Sequence, residues 1–192
     1  MTERTQPRQA GAALTAAEER EFVIFHGRTA PILHRKAARL AAGDGMLGED
    51  LVQEVYLRAI GRWADIRQLA ESRQLGWVSV ALANVFGDVL RKRTRSPRLE
   101  TLEGDTAEVS DLPRTVLMRL YYQHTMRAAV TELAGRQREV FVLRLLGWQG
   151  TEIAAMLGIS LVTVRWNMSR AWRLLNDSPT IAQTRAVLIE EG

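Results

Sequence analysis

The 192-residue chain is 46% hydrophobic and 25% charged, a balance that supports buried cores and argues against wholesale disorder. Its length fits one ordinary domain or two small ones, since domains commonly run to about 100 to 200 residues and can be smaller. The net charge of +4 rests almost wholly on arginine, and the absence of cysteine excludes a disulfide framework, a thiolate metal site and a cysteine nucleophile.

The polar start MTERTQPRQ lacks the apolar core of a signal peptide, and no apolar run approaches the roughly 18 residues that span a bilayer. No membrane insertion and a cytoplasmic location are therefore expected. Apolar residues recur at helical spacing from Phe22 to Leu90 and from Thr125 to Leu175, with no strand-like alternation between them. The expected fold is all-α, with residues 1–20 as a flexible tail and 21–96 as the first small helical domain.

Gly43, Asp44 and Gly45 break the first pattern and read as a plain turn rather than a phosphate loop. A helix follows from Glu49 to Trp63: Val52, Val55, Ala59, Ile60 and Trp63 share one face, and Asp50, Gln53, Glu54 and Arg58 look outward. A second helix is expected over Leu75 to Arg93, packing through Trp77, Val80, Ala81, Val85 and Leu90. Its end is basic, with Arg91, Lys92, Arg93, Arg95 and Arg98, which suits a helix C-terminus.

Residues 99 to 113 then hold Glu100, Glu103, Asp105, Glu108 and Asp111 without a base. With two prolines and a glycine nearby, residues 97–124 read as an acidic flexible linker. Within it PRTVLMRLYYQH resumes helix-like spacing and leads toward a second domain at 125–178; residues 179–192 read as a tail with spacing for a short helix.

In TEIAAMLGISLVTVRWNMSRAWRLL, residues Ile153, Ala154, Leu157, Gly158, Ile159 and Val164 stand at offsets that pack two short helices across a tight turn. Gly158 can take positive φ at the end of the first helix, and Ser160 can cap the second. Val164, Met168, Ala171 and Leu175 form the expected buried stripe. Thr163, Arg165, Trp166, Asn167, Ser169, Arg170 and Arg173 then look outward, a face with three arginines and no acid. Such a helix suits the DNA major groove, where Arg and Asn can bond base edges and other arginines can anchor phosphates. The plainer reading is a helical hairpin with a solvated basic face.

The remaining residue types carry less. His26, His34 and His124 have no metal-ligand spacing. Trp63, Trp77, Trp148 and Trp172 sit among apolar positions and read as core. No serine, histidine and acid combination points to hydrolysis, so neither catalysis nor a cofactor is expected.

The stretch ELAGRQREVFVLRLLGWQGTEIAAMLGISLVTVRWNMSRA resembles region 4 of the extracytoplasmic-function (group-four) sigma factors of the sigma-70 family, in its Arg-Gln-Arg-Glu-Val start and its Glu-Ile-Ala core. EDLVQEVYLRAI, from Glu49 to Ile60, resembles the region 2.2 helix, and WVSVALAN, from Trp77 to Asn84, resembles the segment that reads the -10 element. The resemblance implies that Asp50, Leu51, Val52, Gln53 and Glu54 dock on the clamp helices of the largest RNA polymerase subunit. It places Asn84 at the pocket for a flipped -10 base, with Trp77 as core or base platform and Arg91, Lys92 and Arg93 on nearby phosphates. It sets Arg144 near the DNA backbone, and Thr163, Arg165, Trp166, Asn167, Ser169, Arg170 and Arg173 at the -35 element. It also implies the flap of the second-largest subunit, promoter DNA and an anti-sigma factor as partners, with the linker threading polymerase channels.

Three positions depart from the family pattern. Trp166 stands where a small residue is usual, Asn167 where a basic one is usual, and Ala134 where proline is usual. Trp166 is free to contact a thymine methyl or a protein partner, and the sequence favours neither. The leading function is a promoter-specificity subunit of RNA polymerase. A one-component helix-turn-helix regulator is the main alternative and a helical adaptor for an acidic protein the third.

Overall fold

A computed structural model describes residues 14–41, 44–95 and 114–178, which form eight helices and, among the described residues, no strand. The acidic stretch at 99–113, Gly43, Arg98, most of the N-terminal tail and the C-terminal tail lie outside the described residues.

Helix α1 (Ala16–Ala41) starts inside the segment expected to be a tail. Thr15 and Glu18 explain why: the Glu18 carboxylate accepts from the Thr15 backbone N–H at 2.9 Å, and the Thr15 hydroxyl accepts from the Glu18 N–H at 3.3 Å. This reciprocal capping satisfies two donors that a helix start leaves orphaned. Helix α2 (Gly45–Gly61) also starts earlier than its apolar pattern, because Asp44 is more than a turn residue: its carboxylate accepts from the Leu47 N–H at 3.0 Å.

The expected continuous helix to Trp63 is broken at Arg62, and Trp63 opens a short α3 (Trp63–Ile66). That break turns the Trp63 ring onto Phe22 and Phe25, at centroid distances of 5.0 and 5.1 Å. Tyr56 joins the cluster edge-on to Phe25 at 6.1 Å and shares a 2.8 Å hydrogen bond with the Thr29 hydroxyl. Each aromatic pair adds about 0.5–1.5 kcal/mol beyond area burial. Ile60, expected on the packing face, is instead 44% exposed.

Helix α4 (Glu71–Arg95) is the hinge of the architecture. Its deepest positions are Val78, Leu82, Ala83 and Phe86, while the expected packers Trp77, Val80 and Leu90 are half-buried. The stripe is wider than one face predicts because α4 is packed from two sides. The first side is α1 and α2. The second is the C-terminal module: α5 (Arg114–Glu132), α6 (Gly135–Leu145), α7 (Gly150–Leu157) and α8 (Leu161–Asn176). Helix α5 begins within the stretch expected to be a linker, so the RTVLMRLYYQH segment is helical.

The two modules share one continuous core. Gly87 of α4 lies so close to Val130 of α5 that a Cβ there would collide with it. Gly76 of α4 faces Met156 of α7, where a Cβ would lie 2.7 Å from the Met156 Cβ and 2.9 Å from its carbonyl oxygen. From α1, Lys36 donates to the Leu146 carbonyl at 2.6 Å and lies 4.0 Å from the centre of the Trp148 ring. Burial, and then Arg39, push the Lys36 ammonium below its ordinary pKa, with Glu152 acting the other way.

Candidate nucleic-acid interface

The turn between α7 and α8 has the geometry its residues require. Gly158 adopts φ +63°, ψ 41° at the end of α7, a left-handed conformation that costs a glycine little. Ser160 caps α8 by accepting from the Thr163 N–H at 3.0 Å. Gln149 and Glu152 form a capping box on α7, the Gln149 N–H donating to the Glu152 carboxylate at 2.6 Å. Both helix starts are thus fixed by local chemistry before any long-range packing.

Helix α8 buries Val164, Asn167, Ala171 and Leu175. This corrects the expectation for Asn167, which is 4% exposed rather than outward. Its amide donates to the Thr163 carbonyl one turn back at 2.8 Å, so it bonds its own helix instead of facing a groove. Met168, expected in the stripe, is half-buried beside it. Positions 167 and 168 both border the Val164–Ala171 line, and the polar side chain took the inner place because its hydrogen bond is satisfied locally.

The outer face of α8 presents Arg165, Trp166, Ser169, Arg170 and Arg173, all exposed. The Thr163 hydroxyl is turned to the cap, 2.8 Å from the Ser160 hydroxyl. Arg144 of α6 donates to the Trp148 carbonyl at 3.2 Å and the Gln149 side chain at 3.1 Å. That pose lets it line a groove of about 380 Å³ with Gly150, Thr151 and Arg165. Two arginines and the amino end of α7 therefore converge on one concavity, an arrangement suited to a phosphate.

On the first module, Asp50 and Gln53 are exposed on α2 and Glu54 is half-buried. Leu51 and Val52 are not available for docking: at 1% and 2% exposure they belong to the core between α1, α2 and α4. The EDLVQE string is amphipathic within itself, its acids outside and its aliphatics inside. Glu54 pairs with Arg58 at 2.9 Å, Arg58 reaches Asp88 of α4 at 3.3 Å, and Asp88 pairs with Arg91. Burial works to raise the Asp88 carboxyl, but the bonds from Arg91 and Arg58 outweigh it and hold its pKa below the ordinary value. Arg91 is half-buried and Lys92 exposed, whereas the Arg93 side chain lies outside the described residues.

Trp77 and Asn84 come together. Both line a groove of about 700 Å³ whose other walls include Arg58, Arg62 and Arg73 of the first module and Arg136, Glu139, Met156 and Leu157 of the second. Family models for sigma-70 region 2 and sigma-70 region 4 match residues 25–96 and 123–175, in that order. The chain is 32% identical over 147 residues to the RNA polymerase sigma-E factor of Streptomyces coelicolor, an alignment that covers 74% of this chain and 77% of that protein. It belongs to the extracytoplasmic-function branch of the sigma-70 family.

Two further relatives are matched over a smaller share of their own length. The ECF RNA polymerase sigma factor SigE of Mycolicibacterium smegmatis is 30% identical over 149 residues, which is 76% of this chain and 56% of that one. The probable RNA polymerase sigma factor RfaY of Xanthomonas campestris is 28% identical over 137 residues, 67% of this chain and 33% of its own length. The chain thus spans about a third of one and just over half of the other.

Three arginines that the sequence motifs do not include, Arg62, Arg73 and Arg136, line the large groove with Trp77 and Asn84. Arg73 stands four residues before Trp77 on the same face of α4, a spacing that marks it, whereas Arg136 reaches the groove only because α6 and α7 pack across α4. The same packing buries Met156, which periodicity alone would leave on the outside of the α7–α8 pair. Among the described residues, no cluster of three or more His, Asp or Glu side chains could hold a metal ion.

Proposed function

We propose that this sigma factor binds RNA polymerase core and directs it to a subset of promoters by reading the -35 and -10 elements and holding the melted -10 strand. The observation that carries the reading is the pairing, in one chain, of a doubly capped helix-turn-helix with an acid-faced α2 helix packed against α4. A DNA-binding regulator needs only the first. Asp50, Gln53 and Glu54 form the surface for the basic clamp helices of the largest subunit, and the second module meets the flap of the second-largest.

Arg144 and Arg165 hold -35 phosphates while Trp166, Ser169, Arg170 and Arg173 face the groove. Asn84 and Trp77 receive the -10 strand, with Arg91, Lys92 and Arg93 alongside. A sigma factor performs no bond chemistry; it favours melted DNA only by binding the unpaired strand better than the duplex. The segment between the modules passes through polymerase channels, and an anti-sigma factor completes the set of partners. A cytoplasmic location follows from polymerase and promoter; among the described residues no helix is long and apolar enough to cross a membrane.

One consequence is geometric. The -35 and -10 elements lie roughly 85 Å apart along B-DNA at about 3.4 Å per base pair. Gly76 and Met156, by contrast, touch. Both elements can be read at once only after α4 and α7 separate, so the compact chain is the free form and the polymerase-bound form is open.

The test is reconstitution. The purified chain should co-elute with core polymerase and initiate at start sites mapped after its overexpression. Promoter-specific DNA binding without any association with core would favour the one-component regulator and sink the sigma reading.

A further inference from the structure

The departure at positions 166 and 167 gives this recognition helix its own reading head, and the inference rests on the -35 reading above. Asn167, expected on the outward face of α8, is turned inward and bonded to its own helix at 2.8 Å. With only 4% of its surface exposed, it presents no amide edge to a base in the groove. Trp166, by contrast, leaves 54% of its surface in water on the face that carries Arg165, Ser169 and Arg170. One turn on, the Arg170 guanidinium lies over the Trp166 ring, 5.4 Å from its centre.

No carboxylate stands on α8, and among the described residues none pairs with Arg165, Arg170 or Arg173. The stack is therefore the contact that restrains Arg170. A guanidinium held flat against an indole loses less freedom when it forms a planar, two-pronged bond. The indole face is occupied by the cation, so its apolar edge is what remains to meet a groove.

We infer that Trp166 and Arg170 act as one unit that reads a thymine and a neighbouring guanine in the -35 element. The Trp166 edge packs on the thymine 5-methyl, and Arg170 bonds the guanine O6 and N7 in the major groove. Residues 166 and 170 are about 6 Å apart along the helix axis, so the two bases lie within about two base-pair steps of each other. Trp166 is thereby a specificity determinant, and Asn167 is not.

A single-atom-group change in the DNA tests this. In a promoter mapped for the reconstituted holoenzyme, each -35 thymidine is replaced in turn by deoxyuridine, which removes only the methyl group. At one position the native protein should lose roughly threefold to tenfold in open-complex formation, and Trp166→Ala should be insensitive to the same replacement. Trp166→Phe should restore part of the sensitivity. Arg170→Ala should relax the preference for guanine within two steps of that thymine by roughly tenfold, and also flatten the deoxyuridine effect.

Asn167→Ala, checked by circular dichroism for an intact fold, should keep the native base preferences. The inference is overturned if no deoxyuridine replacement affects the native holoenzyme, if Trp166→Ala remains sensitive, or if Trp166→Ala weakens initiation equally at every -35 sequence, as loss of a protein contact would. Failure of the sigma reading looks different, because then no promoter is initiated at all.

Discussion

Helices α8 and α4 differ in what covers the faces proposed to meet DNA. Helix α8 shows its arginines and Trp166 to solvent, whereas the Trp77 and Asn84 side of α4 looks into a groove walled by α6 and α7. The α8 face proposed for duplex DNA is therefore open in the compact chain. The face of α4 proposed for the melted strand is screened by α6 and α7 of the other module. On the proposed reading, strand capture requires a separation of α4 from α7 that duplex binding does not.

The contact at Gly76 and Met156 is the place to break this difference. The chain has no cysteine, so Gly76→Cys with Met156→Cys creates a single reversible lock. A disulfide wants its Cβ atoms about 3.5–4.5 Å apart, and the present 2.7 Å approach reaches that range with an outward shift of about 1 Å. Oxidised, the variant should lose initiation by roughly a hundredfold or more, since several kcal/mol of strand-capture energy becomes inaccessible. It should retain binding to a -35 duplex, and reductant should restore initiation. Full activity in the oxidised form would show that the modules need not part.

A smaller effect is expected from each face separately. Asp50→Ala removes an exposed acid from α2 and should weaken core binding by roughly threefold to tenfold, measured by titration of labelled core, without changing the melting temperature. Arg165→Ala should weaken -35 duplex binding roughly threefold and reduce the salt dependence by about one phosphate equivalent. Because the α8 face is open in both states, Arg165→Ala should act alike on the locked and reduced chains. A difference between them would mean that α8 is also screened.

The sequence read the two faces unequally for the same reason. The helix-turn-helix is written in local chemistry, with Gly158, Ser160 and the apolar offsets all within one short stretch. Its geometry was legible there, down to the left-handed glycine. Asn167 departs from the expected outward face because a polar side chain need not be exposed when the carbonyl one turn back accepts its hydrogen bond. Leu51 and Val52 adjoin Asp50 in sequence, but the helical period turns them inward. The far wall of the groove around Trp77 and Asn84 is not legible: Arg136 and Met156 stand more than fifty positions away, beyond the acidic stretch.

The smallest effects separate the bond between modules from a bond within one. The last two carbonyls of the α6 end are taken by different partners: Tyr122 of α5 donates to Leu145 at 3.0 Å, and Lys36 of α1 donates to Leu146 at 2.6 Å. Tyr122→Phe leaves a carbonyl unpaired inside the second module and should cost about 1 kcal/mol of overall stability. Lys36→Met should cost a similar amount but loosen chiefly the junction, seen as faster hydrogen exchange in α7.

Their pH dependences have opposite signs. Burial pushes the Tyr122 phenol from 10.0 to about 12, with Arg39 acting against it. Between those values the unfolded chain gives up a proton that the native state keeps, so stability falls as pH rises. The Lys36 pKa is lowered from 10.5, so just below that value the unfolded chain holds the extra proton and stability rises with pH. Denaturant melts between pH 9 and pH 12 should therefore show Tyr122→Phe reducing the alkaline loss above about pH 10, and Lys36→Met removing a gain below about pH 10.5. Loss of both features on either single substitution would mean that the two carbonyl bonds belong to one cooperative unit, and that the junction between the modules is as firm as the second module itself.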